Sequence, residues 1–132
     1  MTRIATAYAL AMSGFLLAAD LGWLGSVADY INTRPPIDKA LHFLMYGLLA
    51  LLVNAAMIRQ RRWPPLRAFT VGTIVVLIAA TIEEASNMVV MHRSWSLGDL
   101  AANYLGIICL GSLPLWRIAA RADGCQIETT PR

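Results

Sequence analysis

The sequence predicts an all-α polytopic membrane protein, a bundle of four transmembrane helices with both termini in the cytoplasm. Three observations carry this expectation. The chain of 132 residues is 58% apolar and only 14% charged, whereas a soluble domain carries about a quarter charged residues. Its apolar residues fall into four long runs, each near the ~20 residues that a helix needs to cross a bilayer. Its arginines gather between and beyond those runs, where such charge marks the cytoplasmic side. The formal charge of +3 therefore reports topology. The expected partner is the lipid bilayer, and no nucleic acid.

The first run extends from Ile4 to about Leu24, interrupted only by Asp20 and preceded by Arg3. Gly14, Ala18 and Gly22 recur at every fourth position, a spacing that lets another helix approach closely. That face is the candidate for contact with a second copy or another membrane protein. Arg3, the apolar core and Ala18-Ala19 also fit a cleaved signal peptide; the Gly–Ala stripe favours a retained helix.

A polar loop, Ser26 to Pro36, ends in two prolines that stop one helix and pre-set the next. The second helix runs to about Ile58. Asp38 in its first turn complements the positive helix end, and Asp38, His42 and Tyr46 line one face. Residues 59–67 form a basic loop with its own double proline. The third span runs from Ala68 to about Met91, β-branched in its middle, with Glu83 and Glu84 near the far end and Asn87 one turn on. After a polar segment holding His92, Arg93, Ser94 and Ser96, the fourth span runs from Asp99 to about Ile118. Ser96 and Asp99 have the form of a capping box, and Ala102 with Gly106 gives a small-residue face. Residues 1–122 read as one domain and 123–132 as a polar, disordered tail. Cys109 reads as a packing residue, and neither it nor Cys125 has metal-ligand spacing.

Four spans put both termini on one side. Arg3, the arginines of the 59–67 loop, Arg117 and Arg121 outnumber Arg34, Lys39 and Arg93 opposite, so the termini are expected inside and the polar residues at the outer face. The expected location is the cytoplasmic (inner or plasma) membrane.

Ionisable groups at the mouths of hydrophobic spans are costly and mark function. Glu84 is a candidate general acid or base and His42 a candidate proton shuttle; the alternative is that Glu84 merely pairs with Arg93 or His42 across helices. Glu83 lies about 100° round the helix from Glu84 and suits either pairing with Lys39 or a solvated position. Arg93 can clamp a phosphate or carboxylate or serve as an interface anchor. With Asp38, Lys39, Tyr46, Asn87, Asp99 and Asn103 it makes a candidate binding site, although Asp99 alone would also suit a helix cap. His42, His92 and Glu84 are suitable zinc ligands by type, but no HxxxH or CxxC spacing supports them, so no metal and no other cofactor is expected. Trp23, Trp95 and Trp116 suit the membrane interfaces.

Two blocks of these residues resemble a known family. Asp38-Lys39-Ala-Leu-His42-Phe43-Leu-Met-Tyr46 is similar to the DK-x-x-H-F-x-x-Y start of the VanZ-like proteins. Glu84-x-x-Asn87, Arg93 and Asp99-x-x-x-Asn103-x-x-Gly106 resemble that family's E-x-x-Q, R and D-x-x-x-N-x-x-G. The resemblance covers Asp38 to Gly111. Asn87 stands where the family has Gln, Met91-His92 replaces Pro-Gly, and Glu83 adds a second carboxylate. The family is similar to the accessory protein that raises teicoplanin resistance; it implies a small polytopic membrane protein and a link to glycopeptide resistance, without an established reaction.

Three functions follow as expectations. The polar site binds or shields a cell-envelope component such as a lipid-linked precursor or headgroup. Alternatively it is an intramembrane hydrolase or phosphotransfer enzyme, with Glu84 as base, His42 as shuttle and Arg93 stabilising the anion. The third is a structural helper of another membrane protein. A CAAX-type protease pattern, EExxxR, is suggested by Glu83-Glu84, but Met88 stands where the arginine is required.

Overall fold

A computed structural model describes residues 1–88 and 96–127, with positions 28, 29, 32 and 121–127 described by backbone only. The described elements are all helices: α1 (Thr2–Asp20), α2 (Gly25–Asn32), α3 (Pro35–Arg59), α4 (Pro65–Ser86), α5 (Leu97–Gly111) and α6 (Leu113–Ile127). Four helical stretches are long and apolar enough to cross a membrane: Thr2–Asp20, Pro35–Arg59, Pro65–Ser86 and Leu97–Ala120. The chain is thus an all-α protein of the polytopic membrane class.

Local chemistry sets the ends. Pro35 and Pro65 start α3 and α4 at their first helical positions, where the missing N–H would have lacked a partner anyway. The third span therefore begins at Pro65 rather than Ala68. α1 ends in a Schellman turn: Gly22 has φ +73°, Gly22 N–H donates to Ala19 O, and Trp23 N–H donates to Ala18 O. Gly22 is there for its left-handed backbone. It therefore leaves the Gly14/Ala18/Gly22 packing stripe, and among the described residues nothing beyond its own helix lies within 4 Å of a Cβ placed on Gly14.

Two segments read as irregular are helical. α2 occupies most of the Ser26–Pro36 loop, and α6 runs to Ile127, into the segment assigned to the tail. The fourth span is also broken. Pro114 has no N–H to continue the ladder, and Leu115 N–H donates to Ser112 O at 3.0 Å instead. Gly111 O, released from the helix, accepts from Asn54 Nδ2 at 3.0 Å. Asn54 is fully buried and also donates to Thr73 Oγ1 at 3.0 Å, so one amide ties α3 to α4 and to the break after α5.

α3 packs against each of the other helices and is the centre of the bundle. The buried core is small: Met12, Tyr46, Ala50, Val76, Ala80 and Ile107. Large apolar side chains instead point outward, among them Leu10, Leu17, Ile74, Ile78, Ile82, Leu105 and Ile108. A lipid-facing surface accounts for both facts, because in a bilayer close packing of small residues holds helices together. Cys109 belongs to that exposed surface, not to the core.

The tightest approach joins α3 to α5. A Cβ on Gly106 would collide with the Phe43 carbonyl oxygen, with Phe43 C and Cα at 2.8 and 3.0 Å, and a Cβ on Gly47 would lie 2.9 Å from Gly106 O. Glycine on both helices lets the backbones meet, and this crossing aligns the first half of α3 with the first half of α5.

Candidate functional site

Polar side chains gather where α3 and α5 begin and α4 ends. Asp38 lies about 30 Å along α3 from Arg59, at 1.5 Å per residue, so the cluster is at the bundle end opposite the basic 59–67 loop.

Lys39 Nζ is 3.3 Å from Asp99 Oδ1, an ion pair between α3 and α5 with Asp99 mostly buried. One turn deeper, His42 Nδ1 is 3.1 Å from Oδ1 of Asn103, which is fully buried. On its other side, His42 Nε2 is 3.7 Å from Asp38 Oδ1. A further turn down, Tyr46 OH donates to Glu83 Oε2 at 3.2 Å. The expected Asp38/His42/Tyr46 face is thus in place, and each of its members meets a partner. Glu83 pairs with Tyr46, whereas the sequence suggested Lys39; Lys39 instead reaches Asp99.

Glu84 is 1% exposed. Its Oε1 accepts from the backbone N–H of Ser96 at 3.0 Å, and its Oε2 accepts from Asn87 Nδ2 at 3.4 Å. Ser96 is the N-cap of α5, and its Oγ accepts from Gly98 N–H at 3.2 Å. In a capping box the fourth residue would take the N–H of the cap. Here Glu84 takes it from another helix, which frees Asp99 to pair with Lys39. Glu84 is therefore a tertiary cap, fastening the end of α4 to the start of α5. Its hydrogen bonds do not include His42. Arg93, together with His92, Ser94 and Trp95, lies outside the described residues, so its expected contacts with Glu84, Asp99 and Asn103 do too.

Beside the cluster, α1, α2 and α3 enclose a half-open cavity of about 80 Å³. Phe15, Leu16, Leu24, Val27, Leu41 and Met45 make its walls apolar, and Asp38, His42 and Tyr46 also border it. No spacing in the sequence announced this cavity, because α2 was read as loop. Asn54 was missed as well; a lone amide in an apolar span was its one available signal. Asn54 serves packing far from the cluster.

No protein-family model, no curated protein and no solved structure matches this chain.

Proposed function

We propose that this is a VanZ-like membrane protein whose polar end binds, or acts on, an amphiphilic component of the cell envelope. The family assignment rests on the two motif blocks. What supports the ligand class is the border between an apolar cavity and the polar cluster: Leu16, Leu41 and Met45 on one side, Asp38 and His42 on the other. A chain in the cavity and a headgroup at the polar end satisfy both surfaces at once. The cytoplasmic placement of the 59–67 arginines turns this end outward, toward the envelope. A contribution to glycopeptide resistance would follow from engagement of a lipid-linked wall precursor.

Native mass spectrometry of the purified chain in detergent, with polyprenyl phosphate as probe, tests the proposal. The wild-type chain is expected to retain one molecule of probe. Leu16→Trp, which fills the cavity from its apolar wall, is expected to lose it. Equal retention by both chains would defeat the proposal. Release of inorganic phosphate from the bound probe would move the reading from binding to hydrolysis.

A further inference from the structure

Among the described residues, carboxylates outnumber cations in the polar cluster. Asp38, Glu83, Glu84 and Asp99 converge there, and Lys39 is the single cationic side chain among the described residues of the cluster. Three of the cluster's side chains have the donor set and spacing of a metal site. Asp38, His42 and Asp99 each offer a ligand atom, and these atoms all lie within 4.8 Å of one another.

We propose that Asp38, His42 and Asp99 bind a divalent transition-metal cation at the mouth of the cavity. His42 supplies the first argument. Its Nδ1 is 3.1 Å from the carboxamide oxygen of Asn103, an acceptor, and the tautomer that satisfies this contact has the proton on Nδ1. In that neutral tautomer the Nε2 lone pair is unprotonated, and Nε2 is 3.7 Å from Asp38 Oδ1. Nε2 and the carboxylate are then both acceptors, and either a second proton on the ring or a cation between them makes the contact attractive. Ligands about 2.1 Å from one ion stand roughly 3.0 to 4.2 Å apart, which brackets the 3.7 Å between His42 and Asp38; the Asp99 oxygen, within 4.8 Å of both, closes on an ion by a small side-chain rotation. Asn103 also fixes the orientation of the ring, the part that a hydrogen-bonded carbonyl commonly plays behind a metal-bound imidazole.

The other end of the same Asn103 amide supplies the second argument. Asn103 is 0% exposed, and its Nδ2 has no hydrogen-bond partner among the described residues. A buried amide donor without an acceptor is unfavourable, and an oxygen carried by a bound cation, from water or a headgroup, supplies one. Lys39 is the competitor. Its side chain is 46% exposed and can swing into solvent when a cation takes its place at Asp99. A bound cation would also offset the carboxylates toward a phosphate headgroup of the kind proposed above. The site itself stands on this chain's residues and does not depend on that reading.

The test uses the full chain in detergent with Cys109→Ser and Cys125→Ser, stripped with chelator and titrated with Zn²⁺ or Mn²⁺ in the absence of added lipid. One equivalent is expected to bind. His42→Gln and Asp99→Asn are expected to weaken binding at least about tenfold, and Asn103→Ala by about ten- to a hundredfold through the imidazole. Lys39→Met is expected to tighten it by removing the competitor, whereas a cluster held only by its ion pair would gain nothing. Melting curves in chelator establish that each variant is folded. Binding of less than a tenth of an equivalent by the wild-type chain, or equal binding by wild type and a folded His42→Gln chain, overturns the proposal. Polyprenyl phosphate retention, measured separately with and without metal, reports on the amphiphile reading alone.

Discussion

Substitution of Gly106 by Ala should separate α3 from α5 and dismantle the polar cluster from a distance. The methyl group would meet the Phe43 carbonyl, with Phe43 C and Cα at 2.8 and 3.0 Å, where ordinary contact begins at 3.4 Å. All three obstructing atoms are backbone, so no rotamer change relieves the clash, and α5 must withdraw by roughly half an ångström or more. Overpacking of a tight interface costs about 1–3 kcal/mol, and a backbone obstruction belongs at the upper end of that range. Two other glycines serve as controls. A Cβ on Gly98 would press on the flexible Lys39 stem at 2.9 Å, and one on Gly14 would meet nothing. Gly98→Ala should therefore cost less than about 1 kcal/mol, and Gly14→Ala should gain about 0.5–1 kcal/mol from helix propensity. Thermal melting of the three variants in one detergent gives the order Gly14→Ala highest, then wild type and Gly98→Ala close together, with Gly106→Ala lowest. Gly106→Ala should also lose the Asp99 and Asn103 contributions to metal binding. If Gly106→Ala melts with the wild type, the α3–α5 backbone contact is not what aligns the cluster.

Two further outcomes are expected. Glu84→Gln keeps an acceptor for Ser96 N–H and adds a donor toward Asn87, whose Oδ1 lacks one among the described residues; it should shift stability by less than about 1 kcal/mol, whereas Glu84→Ala strands the cap and should cost about 1–3 kcal/mol. If Gln melts as low as Ala, the negative charge rather than the acceptor holds the helices; if Gln is stable but inactive, Glu84 takes part in chemistry. For topology, a cysteine at exposed Thr33 in a chain lacking Cys109 and Cys125 should react with an impermeant reagent on intact cells, and one at Gln60 should not; the reverse pattern would turn the polar end to the cytoplasm.

The spans were legible in the sequence because length and hydropathy are properties of each run alone. So were the Asp38/His42/Tyr46 face, which follows from helical spacing, and the Ser96 cap, which needs only its own neighbours. Spacing could not distinguish the two uses of glycine. Gly22 looks like the end of a packing stripe and is a helix terminator, because backbone φ is fixed by the turn it closes. The break at Pro114 was not read from the sequence, and that Asn54 receives the Gly111 carbonyl, freed when Leu115 N–H turns to Ser112 O, depends on a residue 57 positions away. The partners within the cluster were likewise hidden. Lys39 and Asp99 are 60 positions apart, and His42 and Asn103 are 61 apart; either pair exists only once Gly47 and Gly106 bring two backbones into contact. Glu84 shows the same division. The sequence marked it as a carboxylate that needs a partner, and the tertiary structure made that partner the backbone N–H of Ser96, because α4 ends where α5 begins.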